Sequence, residues 1–191
     1  MRRFSFLVIL FSMLATPAFA HPAGSTDSFA AGLAHPFDGA DHLAAIALAG
    51  LWSVLVGGTA TIVWPVTFVA AMLAGFVVAS AGLLISFVEA IVGFSVILLG
   101  AFIAFELRMS VMLGAALVGL FAFFHGYAHG TEATTPMLVP YATGFTLATV
   151  VLLAVGMAAG VGTKGSAGGL LVRVAGGSAA LAGLLLLRGV S

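Results

Sequence analysis

The feature that most constrains this chain is a series of six long apolar runs joined by short connections. The runs cover residues 29–55, 64–83, 86–105, 109–130, 137–160 and 167–187. Each approaches or exceeds the ~20 residues that a helix needs to cross a bilayer core. Strands are not expected, because the runs lack the alternation of a membrane barrel strand and are much longer than one. The sequence predicts an all-α integral membrane protein with a six-helix transmembrane bundle of sequentially neighbouring, antiparallel helices.

The first twenty residues have the three parts of a cleaved signal peptide. Arg2 and Arg3 follow the first methionine, an apolar core comes next, and Ala18 and Ala20 satisfy the small-x-small cleavage rule. Cleavage after Ala20 divides the chain into a signal peptide, 1–20, and a single six-helix transmembrane domain, 21–191, with its amino terminus outside the membrane. An uncleaved signal anchor is the alternative. The positive-inside rule agrees with this orientation, because Arg108 and Lys164 fall in connections on the inner side.

Composition excludes several classes of function. Only 6% of the residues are charged, against about a quarter in soluble domains. The formal net charge of zero argues against a nucleic-acid partner. There is no cysteine, so disulfides, thiolate metal sites and thiol catalysis are excluded. Any metal ion must be bound by nitrogen and oxygen, with methionine sulfur as a remote alternative. The lipid bilayer is the required environment, and the sequence leaves the oligomeric state open, a homo-oligomer included.

Four side chains that can bind a metal ion lie in the opening turns of the first apolar run: His35, Asp38, Asp41 and His42. On a continuous helix they fall within about a third of the circumference. A charged side chain at mid-membrane costs roughly 2.5 to 3.5 kcal/mol on insertion scales. We therefore expect this cluster to face the bundle interior or a water-filled cavity, with a cation or mutual hydrogen bonds offsetting the cost.

Pro36 and Gly39 interrupt the same stretch. Pro36 has no N–H to donate to the carbonyl of Gly32, so the helix should start, kink or break there. One interpretation is a broken helix of the kind that exposes backbone groups to an ion path in transporters. The other is that Pro36 occupies the first turn of a regular helix. Both place His35 at a solvent-accessible helix end.

A second constellation closes the fourth run, where His125, His129 and Glu132 are spaced i, i+4 and i+7. Two imidazoles one turn apart and a carboxylate on the next turn can share one divalent cation, as paired histidines do in helical zinc sites. The pattern is not His-Glu-x-x-His, so a zinc-protease interpretation fails. With the predicted orientation, this constellation and the first motif lie at the same outer depth.

Two further residues are candidate metal ligands. Glu89 lies about one turn inside the third run, again at its outer end. His21 would be the amino-terminal residue after cleavage, where a free amino group and an imidazole can chelate Ni(II) or Cu(II); an unstructured leader is the alternative. Imidazole with carboxylate favours Ni(II), Co(II) or Zn(II), and ligand chemistry alone does not choose among them. A proton or hydrogen-bond relay and purely structural pairing are the alternatives to metal handling.

The motifs resemble those of the HupE/UreJ family of nickel permeases. The similarity lies in the His-Pro start of the mature chain, in His-Pro-x-x-Gly-x-Asp-His over 35–42 and in Phe-His-Gly-x-Ala-His-Gly-x-Glu over 124–132. It covers essentially the whole mature chain and implies uptake of nickel, sometimes cobalt, across the bacterial inner membrane. It also implies a downstream nickel enzyme, a hydrogenase or a urease. By this resemblance the family's motif residues are His35, Asp41, His42, His125, His129 and Glu132.

The sequence as a whole is interpreted as a permease that imports Ni(II), or Co(II), through a His/Asp/Glu site formed by the first and fourth helices, with no prosthetic group and no catalytic residue. The alternatives are a metal-dependent membrane enzyme, either a hydrolase or a haem-type oxidoreductase, and a metal-sensor subunit on the periplasmic side. Protons compete with metal for imidazole, so uptake should fall as the external pH drops below about 6.5.

Overall fold

The computed structural model describes residues 28–133, 137–163 and 166–189, and the regular secondary structure within these ranges is all helical, without a strand. The helices are α1 (Phe29–Ala34), α2 (Ala40–Val56), α3 (Ala60–Ser80), α4 (Val88–Ala104), α5 (Val111–Glu132), α6 (Leu138–Gly162) and α7 (Ser166–Gly189). The prediction of an all-α membrane protein is confirmed. The proposed signal peptide and His21 lie outside the described residues.

Four of these helices, α3, α5, α6 and α7, are long and apolar enough to cross a membrane. The bent pair formed by α1 and α2 counts as a fifth crossing if it is taken as one span. Helix α4 has 17 residues and is apolar but shorter. The described residues therefore form a multi-pass bundle with four, or up to five, full-length spans and one shorter apolar helix.

The first apolar run is broken rather than continuous. After α1, residues His35–Phe37 form a 3-10 turn with Pro36 near its start, and α2 begins only after Gly39, which is extended. The segments on either side of this break are inclined by 81°. Of the two interpretations of Pro36, the break is therefore correct, and a single helix over 29–55 is wrong. The missing N–H of Pro36 and the extended Gly39 account for the interruption.

The most extensive helix contacts are not between neighbours in the sequence, so that expectation is wrong. Helix α3 packs along α5, α4 along α7, and α6 along both α1 and α2. The α3–α5 pair is parallel, because Gly114 packs on Trp64 near one end and Gly130 packs on Phe76 near the other. A Cβ at Gly126 would overlap the backbone carbonyl of Met72. Small residues thus let non-consecutive helices approach closely, as in other membrane bundles.

The end of the bundle that holds the beginning of α4 is organised by a buried tyrosine. Tyr127 on α5 donates its hydroxyl to the carbonyl of Leu83 at 2.6 Å and accepts from the N–H of Ile85 at 2.8 Å. These bonds hold the connection between α3 and α4, which leads directly to Glu89. The connection is thereby placed next to the last turns of α5.

Two tryptophans organise the opposite end. The indole N–H of Trp52 donates to the carbonyl of Leu107 and that of Trp64 to the carbonyl of Val111, at 3.0 and 2.9 Å. Their rings lie 4.4 Å apart between centroids. This end also holds Glu106, which pairs with Arg173 at 3.8 Å. Glu106 is therefore remote from the histidines.

Candidate metal centre

Four histidines from the two motifs meet in the bundle. His35 lies in the 3-10 turn, His42 in the first turn of α2, and His125 and His129 in the last turns of α5. The ring centroids of His35 and His129 are 4.6 Å apart, and the ring of His42 lies 5.0 Å from both His125 and His129. The break after α1 makes this possible, because it turns His35 towards α5 while α2 begins beside it.

Hydrogen bonds determine which ring nitrogen carries the proton in His42 and His125, and therefore which one keeps a lone pair. His125 Nδ1 donates to the carbonyl of Phe121 at 2.7 Å, and His42 Nδ1 lies 3.0 Å from the Asp41 carboxylate. Because a carbonyl or carboxylate can only accept, Nδ1 carries the proton in both neutral rings and Nε2 keeps its lone pair. This is the arrangement in which a second group orients a metal-binding histidine.

Four other ring nitrogens of the cluster are buried without a protein partner. His42 Nε2, His125 Nε2 and both ring nitrogens of His129 form no hydrogen bond, and His125 and His129 are fully buried. Leaving a buried polar atom unsatisfied costs about 1 to 3 kcal/mol. Several such atoms within one cluster are unusual for ordinary core packing, in which buried polar atoms normally find a hydrogen-bond partner.

Carboxylates surround the histidines on their more exposed side. Glu132 pairs with His35, with Oε2 at 2.9 Å from Nε2, and its side chain is half exposed. Asp41 accepts from the backbone N–H of His42 at 2.8 Å as well as facing its ring. Glu89, in the first turn of α4, is exposed and interacts electrostatically with His42, Asp41 and Glu132. The structure therefore arranges acidic groups at the rim and imidazoles beneath them.

Asp38, another predicted site residue, lies in the break between α1 and α2. It ends the 3-10 turn, is exposed, and donates its own backbone N–H to the carbonyl of His35 at 3.0 Å. A continuous helix would place Asp38 on the face of His35 and His42, but the backbone is broken between α1 and α2. Asp38 belongs to the outer rim, where it interacts electrostatically with Tyr141.

Aromatic residues that no sequence motif indicated complete the walls of the site. Phe145 stacks on His129, with ring centroids 4.9 Å apart and planes inclined by 18°. The ring of Phe68 lies 6.0 Å from that of His125, and the ring of Tyr141 lies 5.8 Å from that of His35. The hydroxyl of Tyr141 is buried without a hydrogen-bond partner. A buried tyrosine normally finds such a partner, so this hydroxyl is a further polar group available at the site.

The present side-chain arrangement is not a ready-made coordination shell. Within 28–133, 137–163 and 166–189, no three His, Asp or Glu side chains are placed to hold one metal ion together. The rings meet edge-to-face or tilted, with interplanar angles of 56° to 74° between neighbouring histidines. Imidazole binds metal at about 2.0 to 2.1 Å. Shared coordination would therefore require side-chain rotation.

The apolar helices, together with buried histidines beneath an acidic rim, define a multi-pass membrane protein with a polar site inside its bundle. The family model described as HupE / UreJ protein matches residues 9–186. The chain is also 38% identical over 190 residues to Protein HupE from Rhizobium leguminosarum bv. viciae, an alignment that covers 98% of this chain and 100% of the relative. The chain belongs to the HupE/UreJ family. No solved structure matches it.

Family membership confirms the resemblance drawn from the two motifs. Proteins of this family are transporters or accessory membrane proteins rather than enzymes, so the prediction that the chain is not an enzyme is confirmed. The alternatives of a metal-dependent hydrolase and a haem-type oxidoreductase are wrong. The family also agrees in general terms with nickel or cobalt transport.

Proposed function

We propose that this chain is a secondary permease that imports Ni(II), or Co(II), across the bacterial inner membrane, and that the histidine cluster between α2 and α5 is its cation site. The observation that carries the proposal is the set of buried imidazole nitrogens without a protein partner. A structural histidine pair would satisfy its nitrogens internally, whereas a transport site must leave lone pairs free for its cargo.

The carboxylates at the rim offer an entry route for the cation. Glu89 and Glu132 are exposed and Asp41 is partly exposed, and all three interact electrostatically with His42. We propose that a divalent ion first meets these carboxylates and then exchanges them for imidazole nitrogen. Carboxylate and water ligands exchange readily, so the ion can be held selectively and still be released. His21, which lies outside the described residues, would act as an outer capture point.

The break after α1 has the form expected of an ion path. Irregular backbone is tolerated at membrane depth where it is buried in protein or lines a cavity, and discontinuous helices form the binding sites of many transporters. Here the break itself holds His35, a member of the histidine cluster. Helix α1 packs on α6, where Gly32 lies against the backbone of Tyr141. We propose that α2 to α7 are the six crossings, with α1 as a short re-entrant element and the amino terminus periplasmic after signal cleavage.

The choice of nickel or cobalt rests on the family, since the same ligands also suit Zn(II). By the same resemblance, the imported ion would supply a hydrogenase or a urease. A metal-sensor subunit is the remaining alternative, and it differs from a permease in moving no ion.

Radioactive nickel uptake by cells tests this proposal, with cobalt, zinc and magnesium as competitors. We expect uptake by the wild type, its loss in His42→Ala and in His129→Ala, and inhibition by cobalt but not by magnesium. Glu106→Gln is the matched control, because it removes a carboxylate at the opposite end of the bundle. Absence of uptake by wild-type protein that reaches the membrane would favour the sensor. Equal inhibition by magnesium would contradict a histidine site.

A further inference from the structure

A buried threonine on α6 makes an unusual hydrogen bond. Thr149 donates its hydroxyl to the sulfur of Met72 on α3, at 3.5 Å, and both residues are fully buried. The hydroxyls of Ser53, Ser80 and Thr143 instead donate to carbonyls three or four residues earlier in their own helices, as helical serines and threonines commonly do. The hydroxyl of Thr149 donates instead to a thioether, which is a weak acceptor.

Met72 belongs to the face of α3 that forms a wall of the candidate metal centre. One turn before it, Phe68 lies beside the ring of His125. One turn after it, Phe76 lies 5.1 Å from Phe145 between ring centroids. The backbone of Met72 packs directly on Gly126, the residue after His125. Met72 is therefore at the depth of the innermost histidine.

Thr149 reaches the same depth from the other side. It lies one turn beyond Phe145, which stacks on His129, and two turns beyond Tyr141, which lies beside His35. Along α6 the order from the acidic rim inward is thus Tyr141, Phe145 and Thr149. The Met72–Thr149 pair consequently lies level with His125, at the end of the histidine cluster that is farther from Glu132.

We propose that Met72 Sδ and Thr149 Oγ1 are additional ligands of the transported cation, which contact it as it leaves the histidines inward. This inference rests on the proposed function and extends it to selectivity. Thioether sulfur is a soft ligand, whereas Mg²⁺ and Ca²⁺ take oxygen ligands. A thioether at the inner side of the site would therefore favour transition metals over the abundant hard cations. His125, the innermost histidine, has a buried and unpartnered Nε2 and is the imidazole from which transfer can occur.

X-ray absorption spectroscopy of the purified full chain loaded with Ni(II) tests this assignment. The chain contains no cysteine, so any sulfur bound to nickel must come from methionine. We expect a nickel–sulfur contribution in the wild type and its loss in Met72→Leu, a substitution of similar volume that the core tolerates. Met112→Leu is the matched control, since Met112 is 83% exposed at the opposite end of α5. It should keep the sulfur contribution.

Nickel affinity, measured by equilibrium dialysis on the same proteins, separates the two proposals. We expect Met72→Leu and Thr149→Val each to weaken nickel binding by at least about tenfold, because even the loss of a group that only supports a metal ligand typically costs that much. Nickel bound by the wild type through nitrogen and oxygen alone, or sulfur that persists in Met72→Leu, would overturn the Met72 assignment and leave the permease proposal intact. Wild-type protein that binds no nickel would overturn both.

Discussion

Replacing Asp41 by asparagine tests how the first motif prepares its histidine. The Asp41 carboxylate accepts from His42 twice, from Nδ1 at 3.0 Å and from the backbone N–H at 2.8 Å. Asparagine keeps the shape and one acceptor oxygen but loses the charge. Hydrogen bonds to charged groups contribute about 1.5 to 3 kcal/mol and neutral ones about 0.5 to 1.5 kcal/mol. The difference, about 1 to 1.5 kcal/mol, corresponds to roughly tenfold in an equilibrium constant.

We therefore expect Asp41→Asn to weaken Ni(II) binding about tenfold in equilibrium dialysis, and Asp41→Ala to weaken it further. If Asp41 acts by orienting His42, its substitution should change little in a His42→Ala background, because coupled residues are not additive. Glu106→Gln should bind as the wild type does. Wild-type affinity in Asp41→Asn would show that the Asp41 charge does not contribute to nickel binding. Fully additive losses in the double variant would show that Asp41 contributes independently of His42.

Three other predictions follow from the geometry. Gly126→Ala should lower thermal stability in detergent by about 1 to 3 kcal/mol, because its Cβ would overlap the Met72 carbonyl; Gly162→Ala, with open space around it, should not, and equal melting temperatures would contradict the tight α3–α5 contact. Glu132→Gln should reduce uptake at low nickel concentration by weakening the pair with His35, and unchanged uptake would remove Glu132 from the entry rim. Uptake should be maximal near neutral pH and fall below about pH 6.5, since protonated imidazole cannot bind metal; uptake that rises on acidification would contradict an imidazole site.

The two motifs could be located from the sequence because their polar residues are conspicuous in apolar helices. The spacing of His125 and His129 fixes them on one helical face, and Pro36 with Gly39 indicates an interruption. The direction of the chain after that interruption was not predictable, because it depends on how α1 packs against α6. The helical placement of Asp38 failed for this reason.

The walls of the site could not be predicted, and the reason is physical. A helix that is apolar all round gives no periodic signal for which face turns inward. Tyr141, Phe145 and Met72 all lie in such helices, and only tertiary packing selects them. The prediction that helices adjacent in the sequence pack together was wrong for a similar reason. The close approach of Gly126 to α3 outweighs the short connections that favour sequential neighbours.

The most direct test of the central claim is radioactive nickel uptake into proteoliposomes that contain only the purified protein. We expect wild-type vesicles to accumulate nickel, His42→Ala and His129→Ala each to abolish accumulation, and the double variant to be no worse than either. Empty vesicles and Glu106→Gln give the two reference levels. Wild-type vesicles that accumulate no more nickel than empty ones, or single variants that transport normally, would contradict a permease with one cation site between α2 and α5.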